Sequence, residues 1–445
     1  MAGPSLAALH RNKGVSVLRK SINTLTVAVA LLATAPALAT ADDIDGDLNK
    51  NSNNGKNSGI QLGPRPFYLV EGMDEGRLKD QLTQCKEGPF YRTDFSIGHR
   101  GAALQFPEHS DVAYMAGARM GAGIVECDVT FTKDGELVCR HSECDLATTT
   151  NIVATPLNAN CTVPWTGPGQ SPAPQCCTSD LTLAEFKSLE AKMDASDPSA
   201  TTAEGYLGGT ASWRTDLYTG RAHVMTFEGS IALNQANGVK HTPELKNATY
   251  QDRVDSIFGG QNQYAQKFAD TMKDAGAKPQ DTWPQSFNLE DILYWIDHTK
   301  YGKQAAYLLD YDTTKGDVII QAPYDAMDRT EFLKMLKKRG VKVIAPSMPA
   351  LLSVDNGNIV PSQFAKDLKN MGFDIITWTF ERSDLRQGAS EAGYYYAFDP
   401  DGVAIKKDSD MYKALDVLAK QVKILGIFSD WPATVTYYAN CMGLK

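Results

Sequence analysis

A (β/α)8 TIM barrel carrying a cysteine-rich insertion is the fold this sequence predicts, on three observations. Eight short apolar or β-branched runs recur along the chain, at residues 95–98, 124–130, 242–245, 285–287, 305–309, 341–345, 374–380 and 424–429. The stretches between them carry helix start and stop signals. The run at 95–98 leads straight into His99, Arg100 and Gly101, and the run at 124–130 is interrupted by two carboxylates. Strands alternating with helices make a parallel sheet, eight of them close it, and the strand C-termini then form the functional face.

The length of 445 residues, 42% of them hydrophobic, allows one large core or two ordinary ones. Thr182-Leu-Ala-Glu185 is a capping box and opens an amphipathic helix running to about Met193. Residues 329–339 form a helix that Gly340 stops. The stretch 145–240 is too long for an ordinary connection, and its Pro, Gly and Cys content between Pro156 and Cys177 marks an insertion tied by disulfides. Residues 64–445, insertion included, are read as one barrel domain.

The N-terminus is read as an export signal. Residues 1–39 hold Arg11, Lys13, Arg19 and Lys20, an apolar run at 25–32 and then Ala37-Leu38-Ala39, the pattern of a signal peptide cleaved after Ala39 or Ala41. The apolar run is shorter than the roughly 20 residues a spanning helix needs, so no stable membrane insertion is expected once the signal is removed. The expected destination is the periplasm or the extracellular medium. Residues 40–63, rich in Asp, Asn, Gly and Lys, read as a flexible leader. Loss of the four signal cations takes the net charge from −9 to −13. Such acidity repels nucleic acid and anionic membranes, and a small soluble substrate suits it better. All eight cysteines follow the signal, and an even count in an exported chain implies disulfides. Neighbouring Cys176 and Cys177 are expected to bond to different partners, and the CxxC pairs typical of structural zinc are absent. Asn160-Cys-Thr162 and Asn247-Ala-Thr249 are glycosylation sequons.

Four segments carry candidate chemistry. Ser96-Ile-Gly-His99-Arg100-Gly101 places an imidazole and a guanidinium at a strand end. In Ile124-Val-Glu126-Cys127-Asp128 the side-chain period of two sends Glu126 and Asp128 to one face and Cys127 to the other. Two adjacent carboxylates repel each other and resist desolvation unless protons or a cation sit between them. A turn at Lys133-Asp134-Gly135 returns the chain as a hairpin and brings His141 back towards Glu126 and Asp128. Thr242-Pro-Glu244-Leu245-Lys246 adds a third carboxylate and a cation on one face. Glu126, Asp128 and Glu244 are thus candidate oxygen ligands for Ca2+ or Mg2+.

Together these segments resemble the glycerophosphodiester phosphodiesterase family. The shared pattern is His99-Arg100-Gly101 with Pro107-Glu108, then Glu126-Cys127-Asp128, His141 and Glu244-Leu245-Lys246, with Gln285-Ser286-Phe287, Thr377-Trp378-Thr379 and Gly426-Ile-Phe-Ser-Asp430-Trp-Pro432 further on. The resemblance runs from about Phe95 to Tyr438. It implies a TIM barrel and metal-dependent cleavage of glycerophosphodiesters to glycerol phosphate and an alcohol. It also implies His99 and His141 as general acid and base, Glu126, Asp128 and Glu244 as metal ligands, and Arg100 and Lys246 as phosphate clamps. The insertion departs from the pattern and leaves the alcohol open.

The chemistry agrees with those roles. A phosphodiester resists attack through its own charge, so its cleavage needs cations on the oxygens and a proton for the leaving alkoxide. Calcium is favoured over magnesium because an all-carboxylate exported site tolerates its looser geometry. Trp378 is a candidate to stack on the glycerol carbons or to serve the core. No catalytic part is assigned to His109, His223, His241 or His298, and His241 is expected in a solvated loop. Two other readings keep the same residues. One is phospholipase D-like action on lysophospholipids, with the run Phe67 to Val70 helping to form an apolar groove; the other is a non-catalytic phosphate-ester binding protein.

Overall fold

The computed structural model describes residues 59–444. The expected signal at 1–39 and the leader up to residue 58 lie outside the described residues. The strands are β1 (Thr93–Gly98), β2 (Ala122–Phe131), β3 (Leu137–Cys139), β4 (Lys240–Leu245), β5 (Gln285–Ser286), β6 (Ala306–Leu309), β7 (Tyr311–Asp312), β8 (Asp317–Val318), β9 (Val343–Pro346), β10 (Leu352–Asp355), β11 (Asn358–Pro361), β12 (Asp374–Phe380) and β13 (Gly426–Ser429). Eight of them run parallel in the order β1-β13-β12-β9-β6-β5-β4-β2, and the pairing of β1 with β2 closes the ring. Each expected run overlaps one of these eight. β3 folds back antiparallel on β2, and β7 with β8 and β10 with β11 make two small hairpins.

The period of two sorts the barrel into layers. Ile97, Ile124, Ala306, Leu308, Val343, Ala345, Ile376 and Phe428 fill the interior as one apolar cluster. The alternate residues Val125, Cys127 and Val129 of β2 point outward and pack with the surrounding helices. Because Ile124 faces inward, Glu126 and Asp128 do too, one and two steps further towards the mouth. The barrel is therefore apolar at its centre and charged at the C-terminal end of its strands.

All eight cysteines pair, as Cys85–Cys441, Cys127–Cys139, Cys144–Cys177 and Cys161–Cys176. Cys176 and Cys177 do bond to different partners. The first bridge joins the helices Arg77–Gln84 and Pro432–Met442, and the second ties β2 to β3. The remaining two staple the insertion, whose own core includes Ile152, Val153, Leu181, Phe186, Leu189 and Tyr206.

Four details differ from the sequence reading. The capping box at Thr182 forms, but the helix it opens is only Leu183–Lys187. Beyond it Leu189, Ala191 and Met193 are the buried apolar residues, a period of two, and Glu190 and Ala191 pair in bridges with His223 and Thr150. Burial of alternate residues against the insertion core overrides local helix propensity there. The segment 227–236 forms the helix Phe227–Ala236, whose Phe227 stacks on Phe268 at 5.1 Å in the barrel's outer layer, and Lys240 already belongs to β4. Leu62 is buried and the Gln61 N–H donates to the Arg119 carbonyl at 2.8 Å, so packed chain begins before residue 64. The run Phe67 to Val70 offers no apolar groove: it lies in the helix Arg65–Glu71, with Leu69 and Val70 buried and Phe67 edge-on to Tyr437.

Asp291, on the helix Leu289–His298, is buried and accepts hydrogen bonds from Gln261 Nε2 at 2.8 Å and Ser286 Oγ at 3.0 Å. Burial, against those two hydrogen bonds, pushes its carboxyl up from the usual 3.8 to about 7. A carboxyl raised in the folded state stabilises most below its unfolded value, and that contribution is lost as the pH climbs to the folded one. D291N should therefore show a flatter melting temperature between about pH 4 and 7 than the unmodified protein in scanning calorimetry. Parallel pH profiles for the two would rule the coupling out.

Candidate active site

The turn after β1 begins the site. Arg100 has φ 53° and Gly101 φ 97°, and a Cβ on Gly101 would lie 2.6 Å from the Ala113 carbonyl carbon. Only glycine fits so close to the helix Asp111–Arg119, so His-Arg-Gly is a backbone requirement as much as a chemical one. The turn swings His99 inward. Its Nδ1–H donates to Asp430 Oδ1 at 2.5 Å, and its Nε2 lies 3.7 Å from Glu126 Oε2. Burial pushes the His99 imidazole down to about 4; Asp430 opposes this and Arg100 reinforces it. His99 is thus neutral near pH 7, with Asp430 selecting the tautomer that leaves Nε2 unprotonated.

Arg100 spreads over three carboxylates. Its backbone N–H donates to Glu126 Oε2 at 2.9 Å, its Nη1 donates to Glu108 Oε2 at 2.7 Å, and its Nε lies 3.6 Å from Asp128 Oδ2. Burial pushes Glu108 up, but Arg100 and Arg382 outweigh it and hold the carboxyl down at about 2. Lys246 pairs with Glu244 at 2.7 Å. The hairpin of β2 and β3, held by the Arg140 N–H donating to the Asp128 carbonyl at 2.8 Å, delivers His141 to the same mouth. Burial, followed by the charges of Arg100 and Lys246, holds His141 well below the ordinary histidine range.

Glu126, Asp128 and Glu244 are all buried, and one oxygen of each lies within 4.8 Å of the other two. Burial pushes Glu126 well up, and the charges of Asp128 and Glu244 add to this. Burial likewise lifts Glu244 to about 8 against the pull of Lys246. Asp128 goes the other way, because Lys246 and His109 overcome its burial and hold it well below the usual range. Asp128 Oδ1 is buried without a hydrogen-bond partner. Converging oxygens with one unpartnered and two carboxyls held towards protonation fit a divalent cation of the oxygen-seeking kind.

All eight sequence-predicted site residues line one cavity of about 330 Å³. His99, Arg100, Glu126, Asp128, His141, Glu244 and Lys246 form one side. Trp378 stands opposite, half-buried, its Nε1–H donating to the Ala345 carbonyl at 2.9 Å and its ring near-parallel to Tyr394 at 6.2 Å. It serves the core and the mouth at once. Asp310, Tyr394, Tyr395 and Phe287 complete this aromatic side.

Several residues of the site escaped the sequence reading. His109 is buried, donates from Nε2 to Asp128 Oδ2 at 2.8 Å, and pairs through Nδ1 with Tyr114 Oη at 3.0 Å. It lies in the turn at Pro107-Glu108, where no periodicity shows which way a side chain points. Gln285 donates from Nε2 to Glu126 Oε1 at 3.0 Å. Arg382 bridges Asp430 Oδ2 at 2.9 Å and Asp194 Oδ2 at 3.0 Å, and Asp194 comes from the insertion. His241, expected in a solvated loop, is instead buried on β4 beside Asn234.

A barrel mouth that gathers two cations, clustered carboxylates and two imidazoles holds the groups that phosphate-ester hydrolysis needs. Known proteins agree. The chain is 38% identical over 258 residues to an "Extracellular protein" of Arthroderma benhamiae, covering 57% of this chain and all of that one. It is 22% identical over 386 residues to the glycerophosphodiester phosphodiesterase GDPD6 of Arabidopsis thaliana, covering 84% and 91%. A crystal structure of a putative glycerophosphoryl diester phosphodiesterase from Silicibacter pomeroyi shares the fold with a TM-score of 0.52 at 16% identity, covering 80% and 96%. Residues 99–434 match the glycerophosphoryl diester phosphodiesterase family, and this chain belongs to that family. It is an enzyme, a glycerophosphodiester phosphodiesterase, rather than a binding protein.

The buried charges make a stability prediction. R382M removes the cation between Asp430, Asp194 and Glu108 and leaves buried carboxylates facing one another, which should cost roughly 3 kcal/mol in denaturant unfolding. A loss under about 1 kcal/mol would show that Arg382 behaves as an ordinary surface pair.

Proposed function

We propose that the enzyme hydrolyses glycerophosphodiesters to glycerol phosphate and an alcohol in a metal-dependent reaction, with His99 and His141 as general acid and base. The observation that carries this reading is the convergence of Glu126, Asp128 and Glu244 oxygens within 4.8 Å, beside His99 Nε2 and the cations Arg100 and Lys246. The three carboxylates would hold a divalent cation, calcium favoured over magnesium, and bound there it would neutralise phosphate charge and acidify an oxygen ligand.

The chain's own residues would do the rest. Arg100 and Lys246 clamp the non-bridging phosphate oxygens, which compete with the carboxylate partners for these two cations. An incoming phosphodiester anion favours the protonated imidazole of one histidine, while the other takes a proton through its free nitrogen. As the oxygen nucleophile loses that proton and bonds to phosphorus, the bond from phosphorus to the alcohol oxygen breaks and the protonated histidine gives its proton to the departing alkoxide. Asp430 holds the His99 Nδ1–H throughout, so that proton transfer uses Nε2. Trp378 stacks against the glycerol carbons. Export follows from the signal at 1–39, and it agrees with four disulfides and with a relative named as extracellular.

Two outcomes test the reading. Chelation should abolish turnover of glycerophosphocholine and added calcium should restore it; full activity in metal-free protein would refute the metal. H99A and H141A should each lower turnover by roughly 10²- to 10⁴-fold with metal affinity little changed. E126Q and E244Q should instead weaken calcium binding, so that excess calcium partly rescues them but neither histidine variant. Near-normal rates in both histidine variants would overturn the mechanism.

A further inference from the structure

A continuous chain of charged contacts leads from the insertion to His99. His99 Nδ1 bonds Asp430 Oδ1, Asp430 Oδ2 accepts from Arg382 Nη1, and Arg382 Nη2 donates to Asp194 Oδ2 at 3.0 Å. Asp194 Oδ1 in turn accepts from Arg214 Nη2 at 2.5 Å, and Arg214 donates to the Leu104 carbonyl at 3.2 Å and to that of Ala103. Asp194 and Arg214 belong to the insertion; the others lie at the ends of β1, β12 and β13.

Asp194 is itself held unusually firmly. Lys192 Nζ donates to the carbonyls of Met193 at 2.7 Å, Ala195 at 2.6 Å and Thr148 at 2.8 Å, so the peptide that enters Asp194 and the one that leaves Ala195 are tied to one ammonium. The Lys192 and Ala195 N–H groups donate to the Thr149 and Thr148 carbonyls at 2.9 and 3.1 Å. A mostly buried ammonium that spends all three of its N–H donors on carbonyls fixes backbone. Nothing in the reaction uses Lys192.

We infer that Asp194 is a positioning residue for His99, through which the disulfide-stapled insertion sets the geometry of proton transfer. Arg382 Nη2 has a competing acid in Glu108 Oε2, 3.7 Å away. With Asp194 in place Arg382 sits between the two and keeps Asp430 Oδ2 in contact. Without it, Arg382 turns towards Glu108, the Asp430 carboxylate is free to rotate, and the His99 ring loses its fixed orientation. The chain ends on the imidazole, whereas Arg100 keeps its contacts with Glu126 and Asp128 and Lys246 is held by Glu244. The effect therefore falls on kcat rather than on KM.

This inference rests on the proposed role of His99, and the test separates the two. Steady-state turnover of glycerophosphocholine at saturating calcium is compared for the unmodified protein and for D194A, D194N, D194E, D430N, H99A and the D194A/D430N double variant. D194A and D194N should lower kcat roughly ten- to a hundredfold, as small misplacements of a catalytic group do, with KM unchanged within about twofold, and D194E should recover part of the loss. D194N, nearly isosteric, replaces D194A should that variant unfold. In the D430N background D194A should have no further effect, because the link it acts through is already cut. Single effects that multiply in the double variant, a rise in KM at unchanged kcat, or an unmodified rate in D194A and D194N would each overturn the inference. A fully active H99A would overturn the role of His99 and this inference together, whereas an inactive H99A with multiplying effects removes the inference alone.

Discussion

Buried charge has to be balanced, and at this barrel mouth that requirement governs the structure. Glu108, Glu126, Asp128, Asp194, Glu244 and Asp430 face Arg100, Arg214, Lys246 and Arg382. The acids of this network outnumber its bases by two, and burial together with the neighbouring carboxylates pushes the carboxyls of Glu126 and Glu244 up. A divalent cation held by Glu126, Asp128 and Glu244 would bring two positive charges and favour the ionised form of these carboxyls. The low dielectric that makes such a cluster costly also makes each contact in it strong and directional. The same cluster is therefore a threat to stability and a preorganised field for a phosphate ester.

The apolar floor under the mouth makes that field possible. Ile97, Ile124, Leu308, Ile376 and Phe428 close the barrel beneath the carboxylates, so water reaches the site from one side. Around it, disulfides act where the charges need rigid support. Cys127 sits between Glu126 and Asp128 but points outward, and its bond to Cys139 anchors the hairpin that presents His141. Cys144–Cys177 and Cys161–Cys176 staple the insertion that carries Asp194 and Arg214 into the charge network. Structural and catalytic demands meet in neighbouring residues of the same strand because its two faces alternate.

Local pattern was a good guide wherever a regular element decided the outcome. The eight strands, the common face of Glu126 and Asp128 and the return of His141 all follow from a period of two and one tight turn. The eight candidate site residues consequently line one cavity. Local pattern failed at 189–193, where capping and propensity indicate helix and the chain is extended, because Leu189 and Ala191 are buried by a core assembled from distant segments. It failed again at His241, since a short strand edge does not reveal which side of the sheet is covered.

The amino-acid sequence by itself determined the barrel, its family and the residue types at the strand ends, because alternation and turn chemistry act between near neighbours. Tertiary structure alone decided which charges compensate which. His109 meets Asp128 across 19 residues, Asp430 meets His99 across 331, and Asp194 meets Arg382 across 188. Those partners lie on different strands and loops, and no periodicity along one segment encodes a contact that exists only once the ring has closed. A buried charge must find its counter-charge in space, and closure of the barrel determines which residues are near enough to provide it.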